Sequence, residues 1–493
     1  MKLFWLSIYK KRNNTLVKYI LPLLLFQSCA THTIQTGKNI AHPVRPETTE
    51  TGDIAHTLFL VGDAGNADEE SGKQTLLSLN GQLQKADKNT TLLFLGDNIY
   101  PYGFPDSQDA AAQELAKLKL DNQLKLSGSF AGKTVFIPGN HDWYSGVKGL
   151  ERQEKYVADY LNDKKGFLPR KGCPIDNLKI NDLVTVIAVD SEWYLENWDE
   201  HPTINDNCNI KTREDFFEEL ESLLNKHQDK TVVLAIHHPL MSNGSHGGQF
   251  SLRKELYPLE KDIPLPFVGS LINLIRKTSG ISPQDIQNKQ YTALTKRIKA
   301  LIQGQDNVLV VSGHDHNLQY IENDNIKQII SGAGSKNEAA RAIFPNDFSY
   351  GGNGFAKLDF HKKGSAGLTF FDKQNTVLYQ QNIITPKPEA KTAAYPATFP
   401  PFTKAAIYSE KMTSKSGFYS FLWGKHYREY YSLPITARNA TLDTLYGGLT
   451  PVRAGGGHQS KSLRLKDKDG KEFVMRALKK SASRFLQAVA FKD

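Results

Sequence analysis

The chain has 493 residues, more than a single hydrophobic core usually holds, so at least one region is expected outside the main domain. Hydrophobic residues make up 39% of the chain and charged residues 23%, which excludes wholesale disorder and a polytopic membrane protein. The formal charge of +9 comes from scattered basic residues, and no long basic block alternates with aromatic residues, so no dedicated nucleic-acid partner is expected.

The N-terminal residues are typical of an export signal. Four basic residues between positions 10 and 18 precede an apolar run over residues 19–26, which is shorter than the roughly 20 residues that a membrane span needs. Ser28 and Cys29 follow and resemble the lipobox of bacterial lipoproteins, in which the cysteine is acylated. Residues 1–29 therefore predict a signal peptide and an exported lipoprotein of the bacterial cell envelope, anchored to the membrane through Cys29 and facing the periplasm or the surface. A signal that is cleaved without lipidation, or retained as an anchor, is the alternative.

The next segment, residues 30–56, is polar and contains two prolines, which predicts a tether to a folded body that begins near residue 57. Five short runs rich in Val, Ile, Leu and Phe then predict buried strands, and residues 183–189 predict a sixth. The five runs occupy residues 57–61, 91–95, 134–137, 231–236 and 307–311. Helical patterns at residues 110–126 and 213–227 lie between them. The alternation predicts an α/β domain with a partly parallel sheet.

Further strand-like segments follow residue 327, at residues 356–360, 368–371 and 376–380, and predict a second sheet packed on the first. Residues 243–288 are rich in Gly, Pro and Ser and predict a loop-rich insertion beside the site. Cys173 and Cys208 flank an apolar stretch. In an exported chain they either form a disulfide or remain two free thiols.

Residues 386–401 are rich in Pro, Ala and Thr and predict a linker. Beyond it, residues 402–493 form a separate C-terminal region of unknown function. It contains a strand-like run over residues 472–478, followed by the start of a helical pattern. Either an incomplete part of a longer protein or a small subdomain docked on the core is expected there.

Polar side chains follow each of the five strands directly. The five sets are Gly62-Asp63-Ala64-Gly65, Gly96-Asp97-Asn98-Ile99-Tyr100, Gly139-Asn140-His141-Asp142, Ile236-His237-His238-Pro239 and Gly313-His314-Asp315-His316. A buried strand delivers its last residue to the rim of the sheet, where glycine lets the backbone turn tightly. Carboxylates, an amide oxygen and imidazoles are donors that suit Fe, Zn or Mn. Two such ions about 3.5 to 4 Å apart, sharing one ligand, would suit displacement at phosphorus.

These five blocks, in this order, resemble the calcineurin-like metallophosphoesterases, and more narrowly the purple acid phosphatases, over residues 57–385. The resemblance implies a two-sheet β-sandwich flanked by helices. Most of the superfamily has a metal-binding His two residues after the first Asp, whereas here that residue is Gly65. Tyr100, three residues after Asp97, matches the purple acid phosphatases. A phenol with a pKa of about 10 binds well only to a strongly polarising cation, so Fe(III) is expected beside Tyr100.

The resemblance implies seven metal ligands, carried over residue by residue: Asp63, Asp97, Tyr100, Asn140, His237, His314 and His316. Asp63, Tyr100 and His316 would hold Fe(III), and Asp97 would bridge the two ions. The other three would hold the second ion, which is Fe(II), Zn or Mn.

His237 is preferred to His238 as a ligand because the family spacing His-x-Pro is met from His237, and His238 is expected to pack or line the cleft. The resemblance also implies that His141 protonates the leaving group, and Asp142 could orient it. His246 matches a second histidine on the substrate side.

The function implied is hydrolysis of phosphate monoesters, in small molecules or proteins, through attack by a metal-bound hydroxide with His141 as general acid. Two alternatives stay open. One is a phosphodiesterase or nucleotidase that uses Mn or Zn, with Tyr100 outside the ligand set. The other is a surface assembly or binding lipoprotein in which the phosphatase domain is auxiliary.

Overall fold

The computed structural model describes residues 30–40, 53–106, 108–257 and 266–385, together with four strands between residues 450 and 491. The chain divides into two compact units, one of residues 1–295 and 308–385, the other of residues 296–307 and 386–493. The predicted signal peptide with Cys29 and the predicted linker lie outside the described residues. No helix in the described part of the chain has the length and apolar character needed to cross a membrane.

The strands of the larger unit are β1 (Gln35–Thr36), β2 (Ile54–Val61), β3 (Thr90–Leu95), β4 (Lys133–Ile137), β5 (Ile175–Lys179), β6 (Val184–Val189), β7 (Thr231–Ile236), β8 (Val308–Ser312), β9 (Leu318–Asn323), β10 (Ile326–Ser331), β11 (Phe348–Tyr350), β12 (Gly354–His361), β13 (Ala366–Asp372) and β14 (Val377–Ile384). The described helices are α1 (Glu70–Leu83), α2 (Ala110–Leu124), α3 (Asn140–Trp143), α4 (Gly146–Leu161), α5 (Ser191–Leu195), α6 (Arg213–Lys226), α7 (Leu252–Leu256), α8 (Pro266–Ser279) and α9 (Lys289–Ile302). A 3-10 turn, Lys125–Ser129, follows α2. The predicted strands and the two predicted helices are thus confirmed.

Two sheets form the larger unit. One has the strand order β14-β13-β12-β2-β3-β4, and the other the order β1-β11-β9-β10-β8-β7-β6-β5. Strands β2, β3 and β4 are parallel to one another, as are β6, β7 and β8. The predicted membership of the sheets was wrong in one respect. β12 pairs with β2 on the side opposite β3, so β12 to β14 belong to the first sheet. The five strands predicted from the apolar runs are divided between the two sheets, with β2, β3 and β4 in one and β7 and β8 in the other.

The hydrophobic core lies between the inner faces of the two sheets. Leu58 and Leu60 of β2 and Val233 and Ala235 of β7 belong to one buried cluster and are fully buried. Because side chains alternate along a strand, residues two apart point to the same face. The spacing therefore places both sheets face to face.

The outer faces of the sheets are buried as well. Leu92 and Phe94 of β3 and Val232 and Leu234 of β7 are fully buried, although they point away from the inner core. The helices cover these faces, and α6 buries Phe216, Phe217, Leu220 and Leu224. The predicted sandwich of two sheets flanked by helices is confirmed.

Residues 30–40 belong to the folded body, so the predicted tether is wrong for this part. β1 pairs antiparallel with β11, Thr31 N–H donates to Ala340 O at 2.9 Å, and Ala30 forms a bridge with Ser251. These contacts use backbone groups, which a polar sequence supplies as well as an apolar one. Residues 41–52 lie outside the described residues.

Two other expectations concern the loops and the smaller unit. The insertion over residues 243–288 contains α7 and α8 as well as loops, and Cys173 and Cys208 form a disulfide. The smaller unit contains an antiparallel sheet of β15 (Thr450–Gly457), β16 (Ser460–Lys466), β17 (Glu472–Leu478) and β18 (Leu486–Phe491). The strand predicted over residues 472–478 is confirmed. The helical pattern expected after it is wrong for residues 486–491, where pairing with β17 forms β18.

Candidate metal centre

The turns after β2, β3 and β8 carry polar residues in left-handed backbone conformations. Asp63, Asp97 and His314 have φ angles of 59°, 54° and 70°. Such conformations are uncommon for residues other than glycine and cluster at functional sites. The glycines between them permit close approach, since a Cβ on Gly96 would lie 2.5 Å from His237 Nδ1 and a Cβ on Gly139 would lie 2.3 Å from Asp97 Oδ1. The strand ends therefore meet without room for larger residues.

Asp63, Tyr100 and His316 form the first part of the centre. The Tyr100 hydroxyl donates to Asp63 Oδ1 at 2.9 Å and lies 3.2 Å from His316 Nε2, which is 3.5 Å from the same Asp63 oxygen. Burial, together with the negative charges of Asp63 and Asp97, holds the pKa of Tyr100 well above its usual value. Without a strongly polarising cation the phenol stays protonated and donates to Asp63.

Asp97, Asn140 and His237 form the second part. His237 Nδ1 lies 2.7 Å from Leu95 O, and a carbonyl can only accept, so Nδ1–H donates to it and Nε2 faces Asp97 and Asn140. Nε2 lies 3.4 Å from Asp97 Oδ1 and 3.2 Å from Asn140 Oδ1. The Asn140 amide nitrogen donates to Tyr144 Oη at 2.8 Å, which leaves its oxygen for the centre.

The charges of this part favour a cation. Burial would raise the pKa of Asp97, but the charges of His237 and His141 outweigh it and lower the pKa to about 2. Burial would likewise lower the pKa of His237, but Asp97 and Asp63 outweigh it and raise that pKa. The pocket therefore stabilises positive charge at the position where three donor atoms converge.

His314 completes the predicted ligand set. Its backbone N–H donates to Asp63 Oδ2 at 2.8 Å, and its ring lies 5.2 Å from the ring of His237. Its Nε2–H donates to Gln284 O at 2.8 Å, so Nδ1 is the nitrogen left free. Burial lowers the pKa of His314 well below its usual value, aided by the nearby histidines. A neutral imidazole is the form that binds metals.

The donor set fits a metal centre. Donor atoms of Asp63, Asp97 and His237 all lie within 4.8 Å of one another, and all three residues are buried. Tyr100 and His316 both contact Asp63. Asn140 and His314 both contact His237. The structure thus brings the seven predicted ligands into one continuous set of contacts.

His238 differs from its neighbour His237 because both of its ring nitrogens bond to groups outside the predicted ligand set. Its Nδ1 accepts from Ser191 Oγ at 2.7 Å, and its Nε2–H donates to Gln284 Oε1 at 2.6 Å. Burial, followed by the charge of His237, lowers the pKa of His238 to about 3. The geometry thus favours His237 as the ligand and gives His238 a packing role.

His141 lies beside the ligands with one free ring nitrogen. Its Nδ1–H donates to Pro101 O at 2.6 Å, and its Nε2 is 3.9 Å from Asp97 Oδ2. Its backbone N–H donates to Asp97 Oδ1 at 2.9 Å. The side chain keeps 24% of its surface exposed, so Nε2 can reach a ligand in the cleft.

Asp142 does not orient the imidazole of His141 as expected, because the Nδ1–H of His141 donates to Pro101 O instead. Its fully buried carboxylate instead accepts from the backbone N–H groups of Gly139 at 2.8 Å and Asn98 at 3.1 Å, and from Gln153 Nε2 at 3.0 Å. Burial, followed by the charge of Asp97, raises the pKa of Asp142 to about 7. Asp142 therefore ties the two ligand loops together.

His246 lies on the other side of the centre. Its ring is 4.1 Å from the ring of His314, and its Nδ1–H donates to Asp285 Oδ1 at 2.9 Å. Arg276 holds the same carboxylate in a bidentate pair, with Nε and Nη2 at 2.6 and 2.7 Å. The free nitrogen of His246 is therefore Nε2.

A family model for calcineurin-like phosphoesterases matches residues 51–318, more than half of the chain. The chain belongs to the calcineurin-like phosphoesterase family. Membership implies a metal-dependent phosphoester hydrolase that acts on phosphorylated substrates.

Solved structures of other proteins align with about two thirds of this chain, and two of them have known identities. GAP50, the anchor in the inner membrane complex of Plasmodium, aligns with a TM-score of 0.46 and 16% identity, over 68% of this chain and 91% of that chain. Purple acid phosphatase PPD1 from yellow lupin (Lupinus luteus) seeds aligns with a TM-score of 0.42 and 13% identity, over 68% of this chain and 55% of that chain. A search of curated proteins found no match.

Several residues of this phosphoesterase site were missed by sequence reasoning. Lys336 places Nζ 3.3 Å from the ring centroid of Tyr100, and Glu338 accepts from Lys254 Nζ at 2.8 Å while lying 4.0 Å from His316 Nδ1. Lys336 directly follows the Gly-rich turn at residues 331–335, a signal that could have identified it. Gln284 and Asp285 lie in the insertion and carried no such signal.

Proposed function

We propose that this phosphoesterase is a purple acid phosphatase-like hydrolase of phosphate monoesters in small molecules or proteins. It would hold two metal ions, Fe(III) beside Tyr100 and Fe(II), Zn or Mn beside His237. The observation that carries the proposal is the Tyr100 hydroxyl, which lies within 3.2 Å of both Asp63 and His316. A phosphodiesterase that keeps Tyr100 outside the ligand set has no use for this arrangement.

The ligands divide between the two ions as the donor atoms are grouped. Asp63, Tyr100 and His316 would hold Fe(III), Asn140, His237 and His314 the second ion, and Asp97 would bridge. When bound, the ions would polarise the phosphoryl group and lower the pKa of a water molecule. Hydrogen bonds at the opposite ring nitrogen direct Nε2 of His237 toward Asp97 and Asn140 and leave Nδ1 of His314 without a partner, which supports these assignments.

The residues beside the ligands would handle the substrate. His141 presents Nε2 to the cleft because Pro101 O holds its Nδ1–H, so Nε2–H can protonate the departing alkoxide oxygen. His246 presents its own Nε2 beside His314, since Asp285 holds the opposite nitrogen. Two imidazole N–H groups would thus bind the ester from two sides.

Turnover by the purified full chain tests the activity. We expect hydrolysis of an alkyl phosphate monoester to exceed that of the matched diester. Asp97→Asn should abolish turnover and the binding of the metal pair, whereas Asp182→Asn, at a side chain that is 89% exposed, should change neither. Faster diester hydrolysis would favour the phosphodiesterase alternative, and a fully active Asp97→Asn variant would contradict the metal assignment.

The visible spectrum tests the iron. A tyrosinate bound to Fe(III) gives a charge-transfer band, which should disappear in Tyr100→Phe. Tyr102→Phe, two residues away at a position that is 70% exposed, is the matched control and should keep the band. A band that survives in Tyr100→Phe would mean that Tyr100 is not a ligand.

We also propose that the enzyme is exported to the bacterial cell envelope and anchored through a lipidated Cys29. The disulfide between Cys173 and Cys208 supports export, because such bonds persist in oxidising compartments. Metabolic labelling with an alkyne fatty acid should tag the wild-type chain and not Cys29→Ala. Equal labelling of both would overturn the anchor.

A further inference from the structure

Helix α8 presents apolar side chains to the outside of the molecule. Four of them and one residue just beyond the helix are well exposed: Leu271 (56%), Ile272 (40%), Leu274 (55%), Ile275 (45%) and Ile281 (75%). At 100° per residue the four helical positions cover one continuous face. A contiguous exposed apolar patch marks a surface that binds another apolar surface.

Two polar residues on the opposite face of α8 contact the rest of the larger unit. Asn273 is 8% exposed and its side chain donates to Lys254 O at 3.4 Å. Arg276 forms its bidentate pair with Asp285 and lies over the ring of Phe250, with 5.6 Å between the guanidinium carbon and the ring centroid. A surface helix normally turns its apolar face toward the core, and α8 does the reverse. Packing against the core does not account for the apolar residues on the outward face, so we infer that this face binds another apolar surface.

The N-terminal part of the chain reaches the same place. Ala30 N–H donates to Phe250 O at 3.2 Å, and Ala30 forms a parallel bridge with Ser251, the residue that caps α7. Phe250 in turn lies under Arg276 of α8. Ala30 is therefore connected to α8 through Phe250.

The sequence before Ala30 contains an apolar run over residues 19–26 and Cys29. An extended residue spans at most about 3.5 Å, so the end of the run lies within roughly 14 Å of Ala30 along the chain. If the run is retained, or if Cys29 carries a lipid as proposed above, apolar material that belongs in a bilayer adjoins Ala30 in the chain, and Ala30 is connected to α8 through Phe250.

We propose that α8 is an interfacial membrane helix whose outward face inserts into the leaflet that holds the N-terminus. The partner is a lipid surface. Amphipathic helices bind in this way, with the apolar face about 5 to 10 Å below the headgroups, and they strengthen anchors that are marginal alone. Because Arg276 and Asp285 connect α8 to His246, insertion would also hold the metal centre at a fixed orientation to the membrane.

An environment-sensitive fluorophore on the full chain tests the proposal. Leu274→Cys is labelled with a nitrobenzoxadiazole dye and mixed with phosphatidylethanolamine–phosphatidylglycerol vesicles, with and without doxyl lipids. The label at 274 should shift to shorter wavelengths and lose most of its emission to the doxyl lipids. Leu77→Cys on α1, 61% exposed, is the matched control and should respond to neither. The unsubstituted chain gives the labelling background.

Leu271→Cys, one turn earlier on the same face, provides a second label position and should respond in the same way. No response to vesicles at either position would overturn the proposal. A blue-shifted label before vesicles are added would overturn it too, since another segment of the chain or a second copy would then cover the face. Unchanged monoester turnover by the labelled proteins checks that they are folded.

Discussion

The ammonium nitrogen of Lys336 lies 3.3 Å from the centre of the Tyr100 ring. Burial lowers the pKa of Lys336, although the charges of Asp63 and Asp97 oppose this shift. The lysine thus places a positive charge beside the carboxylates that are expected to bind metal. In the metal-free protein it offsets part of their repulsion, and in the loaded protein it would repel the ions.

Replacement of Lys336 should therefore tighten metal binding. After solvent screening, a like charge beside the centre repels a divalent ion by about 1 to 2 kcal/mol, so we expect roughly tenfold tighter Zn²⁺ binding in Lys336→Met. Competition with a coloured chelator measures the dissociation constant. Lys336→Arg keeps the charge and should match the wild type. Equal or weaker binding in Lys336→Met would contradict the repulsion.

The adjacent histidines should respond differently to the same substitution. His237→Gln should lose the second ion and turnover, because the Nε2 beside Asp97 and Asn140 is gone. His238→Gln should keep both ions but unfold more easily, by about 1 to 3 kcal/mol, because its buried partners lose well-placed hydrogen bonds. Metal content and urea unfolding measure the two effects. Loss of metal in the His238 variant alone would reverse the assignment.

The turns that carry the candidate ligands could be predicted because they are encoded locally. Each turn follows a buried strand, so strand periodicity locates the turns of Asp63 and His314 without knowledge of the tertiary structure, while the choice of ligands within the turns comes from the family resemblance and stays a prediction. The pairing of β12 with β2 is not encoded in this way, because periodicity reports which residues are buried and not which strand they lie beside. Sheet membership was wrong for that reason.

The role of Asp142 could not be predicted for a related reason. Its carboxylate is next to His141 in sequence, but it accepts from the backbone of Asn98, 44 residues earlier. The pair of His246 and Asp285 spans 39 residues of an insertion without periodic signal. Contacts between distant loops follow from the assembled fold, and no single segment reveals them.

The loss of hydrolysis rate on replacing His141 should depend on the leaving group of the ester. His141→Asn is expected to slow hydrolysis of an alkyl phosphate by about 10² to 10⁴, because the alkoxide must be protonated as it departs. p-Nitrophenyl phosphate, whose phenolate leaves without a proton, should lose much less. His201→Asn is a control with similar exposure, 21% against 24% for the His141 side chain. Equal losses for both esters would argue against general acid catalysis.

Asp285 should make the free energy of unfolding depend on pH in the acidic range. Burial would raise the pKa of its carboxyl group, but the hydrogen bonds from Arg276 and His246 outweigh it and lower the pKa. A lowered folded-state pKa contributes stability that is fully present above the unfolded value of about 3.9 and is lost as the pH falls through the folded value. Asp285→Asn lacks this contribution at every pH.

The difference in unfolding free energy between wild type and Asp285→Asn should therefore be largest at neutral pH and shrink below about pH 4, as measured by urea unfolding across that range. Asp229→Asn, at an exposed position, should track the wild type throughout. A difference for Asp285→Asn that stays constant with pH would mean that the carboxylate charge does not stabilise the loop beside the metal centre.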